Sequence, residues 1–276
     1  MKKEFAFLGA LCVLSANILA AENIHPITRE MGSGTRAAFV EIFKIQKEIK
    51  NKKVDAITQK AEITNSTGVM ITSIQNDKNA IGYISLGSLN NTVKSIQIDG
   101  VSANIENIQN GTYKIQRPFY VVTKKDNPLI ADFLNIAMSQ KKIIEKAGYI
   151  PNNNQNTEIK TQKPSGKLVI AGSSSVSPLM EKLVENYRLK NPNAEIEIQT
   201  SDSTMGANLV VDNIADIGML SRDLKPSEKE KGLNPQILAI DGLAIIVHKE
   251  NPVNNLSSQN IKEIFLGNIQ NWNEIK

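Results

Sequence analysis

Twice along this chain a short apolar strand runs into a turn built from Gly, Ser and Thr, and a helix begins directly after the turn. Residues 24–28 lead into REMGSGT, and a helical pattern follows over 37–49 with Phe39, Val40, Ile42, Phe43 and Ile45 apolar. Residues 167–171, KLVIA, lead into Gly172, Ser173, Ser174 and Ser175; a helix follows from Pro178 with Leu179, Met180, Leu183, Val184 and Tyr187 on one face. A strand joined to a helix by a few small residues lays that helix back on its own sheet. Repetition of the unit confines the fold to the α/β class with open, largely parallel sheets. Further strands are expected at 81–85, 93–98, 117–123, 195–198 and 215–220, and in apolar runs of 237–247 around Asp241 and Gly242. Further helices are expected over 128–146, ended by Gly148, after Ser203, and from Ser257 to Gly267.

Residues 151–165, PNNNQNTEIKTQKPS, are almost free of apolar side chains and read as a linker. A flexible chain of that length spans about 20 Å. At the N-terminus, Lys2 and Lys3 precede an apolar run over 5–21, broken by Ser15 and Asn17 and ending in Ala20 and Ala21. This is the pattern of an export signal peptide over 1–21, too short and too interrupted for a membrane span. Cys12, the one cysteine, lies inside that run, so the mature chain has no disulfide, thiol nucleophile or cysteine metal ligand. The net charge of +4 is small and spread along the chain, which gives no footprint for nucleic acid.

Four loops share one chemistry: 29–35, 172–177, 201–206 and 221–223. All offer hydroxyls, and three run into helix starts, where unpaired N–H groups and partial positive charge favour an anion. Glycine admits close backbone approach, and Arg29 adds a charged fork matched to an oxyanion. Any one such loop is accounted for by helix capping, with Ser175 or Ser177 as the cap of the second helix. Taken together they point to a tetrahedral oxyanion site. The 32–35 turn is not a nucleotide P-loop, since the lysine and the spacing are missing. A secreted phosphate-ester hydrolase needs a nucleophile, a base and usually metal ligands. The two histidines, His25 and His248, stand in no paired arrangement, Ser174 has no evident base, and neither a metal nor a catalytic residue is expected.

The wording of these loops, AGSSSVSPLMEKL, TSDSTMG, DIGMLSRDLK, IFLGNIQNW and TREMGSGTRAAF, resembles the phosphate-binding proteins of bacterial phosphate ABC transporters. So do GYISLGSL, VKSIQIDGV, RPFYVVTKK and IIEKAGYIP, which carry the resemblance over nearly the whole mature chain. The resemblance implies a two-lobe periplasmic binding protein type II fold without enzymatic activity or cofactor. Such a protein would be periplasmic or otherwise extracytoplasmic and would act as a monomer. It would close around inorganic phosphate and pass it to a membrane permease. One departure is large: in that family the GSSSVSPL segment comes first and GSGTR later, whereas here the order is reversed. A circular permutation is implied, with 151–164 joining the family's usual C- and N-termini; a tandem fragment or halves exchanged between chains are the alternatives. Lobe two would then be 24–92 plus 249–276 and lobe one 93–150 plus 165–248, with crossings near 89–94 and 247–250.

By resemblance, Arg29, Ser33, Gly34 and Thr35 grip the anion from lobe two. Ser174 and Ser175 supply hydroxyls and N–H groups from lobe one, and Ser203 and Ser221 complete the set. Ser221 falls where some relatives carry an aspartate. A carboxylate there can accept the proton phosphate retains near neutral pH, whereas facing sulfate it would be left repelled and unpaired. Asp202 is the candidate replacement acceptor, with an Asx cap as its other reading, and Asp223 reads as a cap or surface residue. Sulfate and molybdate therefore remain alternative ligands on the residues alone. A surface sensor or adhesin built on the same fold is a further one.

Overall fold

The computed structural model describes residues 23–152 and 159–275; the expected signal peptide with Cys12, and residues 153–158 of the linker, lie outside them. In chain order the elements are β1 (His25–Arg29), α1 (Gly34–Ile42), β2 (Gln46–Ile49), β3 (Lys52–Asp55), β4 (Glu62–Thr64), α2 (Thr67–Asn76) and β5 (Ala80–Ser85). Then come β6 (Val93–Ser95), β7 (Gln97–Ile98), α3 (Ile105–Gln109), β8 (Gln116–Thr123), α4 (Pro128–Ser139), α5 (Lys141–Lys146) and β9 (Ile150–Pro151). Beyond the linker follow β10 (Gly166–Ser173), α6 (Ser177–Lys190), β11 (Ala194–Ser201), α7 (Ser203–Val211), β12 (Ile217–Leu220) and α8 (Pro226–Lys229). The last are β13 (Asn234–His248), β14 (Asn255–Leu256) and α9 (Ser258–Leu266).

Two expectations fail for local reasons. The helical pattern of 37–49 stops at Ile42, because Lys44 turns into the left-handed region at φ 54°. Residues 46–55 instead form the β2–β3 hairpin, whose two-residue turn puts Lys50 and Asn51 at φ 51° and 58°. The expected 128–146 helix is interrupted at Gln140, where ψ of 53° ends α4 before α5 begins. Gly267, by contrast, ends α9 at φ 84° as its spacing predicts.

A sheet of ten strands carries the order β11-β10-β12-β8-β13-β5-β1-β4, with β6 and β9 also pairing β13. At one end β10 runs parallel to β11 and β12; at the other β1 runs parallel to β4 and β5. Between these parallel sets lie the antiparallel β8 and β13. The expectation of largely parallel sheets thus holds at both ends and not in the middle. Two main cores result. One joins Phe119, Phe133, Ile170, Leu179, Leu183 and Tyr187. The other joins Phe39, Tyr83, Ile98, Ile245, Ile261 and Phe265. A smaller cluster backs each half of the sheet on its opposite face, Ala207 and Val210 in the first lobe and Ile27, Met70 and Ile74 in the second. Burying one such large apolar side chain stabilises by roughly 1.5–3 kcal/mol, so each lobe holds its shape through its own core.

The crossings between lobes lie elsewhere than the sequence places them. Strand β13 belongs to both lobes: Asp241 and Gly242 pair with Arg117 and Gln116 of β8, and Leu243 already pairs with Ser85 of β5. The second crossing is beside it, where the Leu243 N–H donates to the Ile115 carbonyl. Residues assigned from sequence to lobe one, among them Ile96, Ile98, Ile108, Tyr113 and Val247, pack in the lobe-two core. The reason is physical. A strand that passes straight from one lobe into the other ends at no turn there, and only the polar Asp241 and the bare Gly242 mark the point.

That point is tied by a buried ion pair. Arg117 Nε and Nη2 donate to Asp241 Oδ2 at 3.2 and 3.1 Å, and Ser85 of the other lobe donates to Oδ1 at 2.8 Å. Burial pushes the Asp241 carboxyl up to about 6 against the attraction of Arg117, and burial likewise lowers the Arg117 guanidinium from its ordinary value. A buried pair of this kind is costly to break on one side, because the other charge is left without a partner. Asp241→Asn is therefore expected to lower the unfolding free energy by about 3 kcal/mol. Urea titration reads this directly, and an unchanged midpoint would contradict a stabilising role for the pair.

Candidate functional site

The site forms where the turn after β1 meets the turn after β10. Tyr83, stacked on Phe39 with ring centroids 3.9 Å apart in the lobe-two core, fixes the end of β1. Its hydroxyl lies 2.6 Å from Thr28 Oγ1 and accepts the Arg29 N–H at 3.3 Å. Burial pushes the Tyr83 phenol up to about 12, so it stays protonated as a neutral support. From the other side Arg36 Nη1 donates to the Arg29 carbonyl at 2.6 Å, while Arg36 Nε is held by Asp55 at 2.6 Å. The Arg29 backbone is thus clamped before its side chain is considered.

Arg29 is 2% exposed and its guanidinium is divided between two duties. Nε and Nη2 donate to the Glu30 carboxylate, both at 2.8 Å. Nη1 reaches Thr67 Oγ1 at 3.4 Å, and Nη2 also reaches Ser174 Oγ across the cleft at 3.1 Å. One edge of the fork that the sequence offers to an oxyanion is thus taken up by Glu30. Glu30 holds the bidentate edge, because an arginine buried beside a neighbouring carboxylate pairs with it. The Nη1–Nη2 edge is what faces the opposite lobe.

The other expected residues gather around that edge. Thr35 Oγ1 lies 2.7 Å from Ser175 Oγ, joining the lobes. Ser221 Oγ lies 3.0 Å from Ser173 Oγ and 3.3 Å from Ser203 Oγ, and the Ser221 N–H donates to Ser203 Oγ at 3.0 Å. Gly34 sits on this pair: a Cβ at Gly34 would come within 2.6 Å of Ser221 Oγ and closer still to Ser203 Oγ. Ser33 caps α1 by accepting the Arg36 N–H at 3.3 Å, which leaves its own proton to donate. Ser33, Thr35, Ser174, Ser175, Ser203 and Ser221 are all buried.

Two local expectations change. Neither Ser175 nor Ser177 caps α6 through its side chain; the cap position is Val176, so Ser175 faces Thr35 instead. The Ser174 N–H, expected to face the anion, donates to the Ser201 carbonyl at 3.0 Å. Asp202 follows its capping alternative, with Oδ1 accepting the Met205 N–H at 2.8 Å. Asp223 is exposed. Among the described residues, the hydrogen bonds of the serine cluster run to hydroxyls, backbone and Arg29, and to no carboxylate. Behind the cluster Arg117 Nη1 donates to the Ser221 carbonyl at 3.3 Å, linking the hinge pair to the site.

Sequence reasoning missed Thr67, Arg36, Arg117 and Asp241. Thr67 was findable: Asn65, Ser66, Thr67 and Gly68 precede the apolar Val69, Met70, Ile71 and Ile74, the same turn-to-helix pattern as the loops that were recognised. The charged pairs had no local signal, since Arg117 and Asp241 are 124 positions apart.

Comparison with known proteins places this geometry in a family. A model of the PBP superfamily domain matches residues 13–141 and 157–275. A protein of Streptococcus agalactiae named Phosphate-binding protein PstS 2 is 46% identical over 257 residues, covering 91% of this chain and 87% of the relative. Phosphate-binding protein PstS of Bacillus subtilis is 32% identical over 151 residues, 53% of this chain and 48% of the relative. Among solved structures, a phosphate ABC transporter, phosphate-binding protein from Streptococcus pneumoniae superposes with a TM-score of 0.72 at 40% identity, covering 92% of this chain and all of that one.

The tight seating of Gly34 yields a test. Gly34→Ala places a methyl against Ser203 and Ser221, and overpacking of this kind costs about 1–3 kcal/mol. The variant should keep its lobes apart. Small-angle scattering in saturating phosphate should give it a larger radius of gyration than the unaltered chain, and equal radii would refute the close contact.

Proposed function

The chain belongs to the PBP superfamily domain family, and its relatives that match along nearly their whole length are phosphate-binding proteins; from this premise we propose that it binds inorganic phosphate for delivery to an ABC transporter. The observation that carries this reading is the meeting of Arg29, Thr35, Ser174 and Ser175 from two lobes within hydrogen-bond distance of one another. Each donor to a charged group contributes roughly 1.5–3 kcal/mol, so several are needed to offset the dehydration of a phosphate. The candidate set is Arg29, Ser33, Gly34, Thr35, Ser174, Ser175, Ser203 and Ser221. The lobes close about the crossings at β8 and β13 and enclose the anion. The protein is a binder and not an enzyme. It works outside the cytoplasm as a monomer, beside a permease.

Asp202 contributes as a helix cap, and the proton of phosphate is accepted by a hydroxyl. Ser221 is the position for this, since a serine oxygen both donates and accepts. Such an acceptor discriminates against sulfate less sharply than a carboxylate would.

The order of the halves is read as a circular permutation. Three observations support this. The match to the Streptococcus agalactiae protein runs through both sides of the linker, whereas the Bacillus subtilis protein matches about half the chain. Asn23 bridges Asn271, and the Ile24 N–H donates to the Gln270 carbonyl at 2.8 Å, so the two outer segments lie side by side. Strands β9 and β10, on either side of the linker, both belong to lobe one. A gene encoding 165–276 ahead of 24–150 should therefore yield a folded phosphate binder; failure of that chain to bind would count against the permutation.

Calorimetric titration of the mature chain with phosphate, sulfate and molybdate tests the function. Saturable binding of one phosphate per chain is expected, and binding of sulfate without phosphate would overturn the ligand. Arg29→Ala should weaken phosphate binding by about a hundredfold or more, since it removes charged donors and leaves the Glu30 carboxylate unpaired near the anion. Unchanged affinity would remove Arg29 from the site.

A further inference from the structure

Helix α2 enters the cleft from lobe two with a residue that its own helix does not need. Its cap is Ser66, whose Oγ accepts the Val69 N–H at 3.2 Å. The hydroxyl of Thr67, the first helical residue, has no part in that cap. Thr67 is 5% exposed, and its Oγ1 points across to the other lobe. It lies 3.1 Å from Ser175 Oγ and 3.4 Å from Ser174 Oγ, while the Thr67 N–H donates to Ser174 Oγ at 3.3 Å. On its own side it takes the Arg29 Nη1 donor at 3.4 Å.

A buried threonine at a helix start often serves packing alone. That role would place its hydroxyl on its own turn and its methyl on the core. Here the polar neighbours of the hydroxyl are Arg29, Ser174 and Ser175, two of them in the opposite lobe. With Glu30 holding one edge of Arg29, the anion-facing edge of the guanidinium is bounded by Thr67 at Nη1 and by Ser174 at Nη2. An anion that touches that edge together with the Ser174 and Ser175 hydroxyls therefore comes within reach of Thr67 Oγ1.

We propose that Thr67 is a further ligand-contacting residue of the oxyanion site, donating its hydroxyl to the anion from lobe two beside Arg29. The proposal rests on the reading of this cleft as a phosphate site. It also makes Thr67 a closure contact, because its position between the serines is reached only when the lobes meet.

The test is calorimetric titration of the full mature chain, Thr67→Val and Thr67→Ser with phosphate, together with thermal melts in the presence and absence of phosphate. Valine keeps the branched shape and removes only the hydroxyl; serine keeps the hydroxyl and removes the methyl. Thr67→Val should bind phosphate about tenfold to a hundredfold more weakly and show a smaller phosphate-induced rise in Tm. Thr67→Ser should stay within about threefold of the unaltered chain, a rescue that a packing role would not produce. Unchanged affinity in Thr67→Val, or a loss in Thr67→Ser equal to that in Thr67→Val, overturns the proposal. If Thr67→Val does not fold, Thr67→Ala carries the same expectation. Failure of the phosphate reading is separately visible. The unaltered chain would then bind sulfate or molybdate instead, and titration of the same variants with that anion would decide the role of Thr67. A chain that binds none of the three anions overturns both.

Discussion

Hydroxyls from two lobes share hydrogen bonds in a place closed to solvent, and one arginine is buried among them. Thr35 to Ser175 and Arg29 to Ser174 are among the contacts that bring the lobes together, with Thr67 to Ser175 beside them. Such a cluster is costly to assemble, since each of its donors gives up water. Its members gain by facing one another or a common anion, and a hydroxyl can turn to do either. The rest of the molecule serves to hold these few groups in position. Tyr83 and Arg36 clamp the Arg29 backbone, and Glu30 holds one edge of its guanidinium.

The crossing between the lobes is built into the sheet and does not lie in a loop. Strand β13 passes from one lobe to the other without interruption, and the Arg117–Asp241 pair sits at the passage. Arg117 reaches the Ser221 carbonyl as well, so the crossing and the serine cluster share a side chain. Arg117 thus contacts both the strand crossing and the turn that carries Ser221. Burial disfavours the charged form of both members, and their mutual attraction opposes it.

Much of this was legible in the sequence, and the failures have physical reasons. The turn-to-helix units at 29–35, 172–177 and 201–206 were legible because strand period, small-residue turn and helix period change within a few positions. The residues those turns carry, Arg29, Thr35, Ser174, Ser175 and Ser203, do come together. Thr67 went unnoticed although its turn has the same form. The lobe boundaries were misplaced because a continuous strand carries no punctuation. The duties of Arg29 and Asp202 depend on which neighbour each side chain meets in space. For Arg29 that neighbour is the adjacent Glu30, and only the fold decides whether the two face each other.

A single phosphate gripped by both lobes at once should be visible in a crystal structure of the chain grown with phosphate. One tetrahedral anion is expected within about 3 Å of donors on Arg29 and Thr35 from one lobe and on Ser174 and Ser175 from the other. An anion held by one lobe alone, or bound away from these turns, would contradict it.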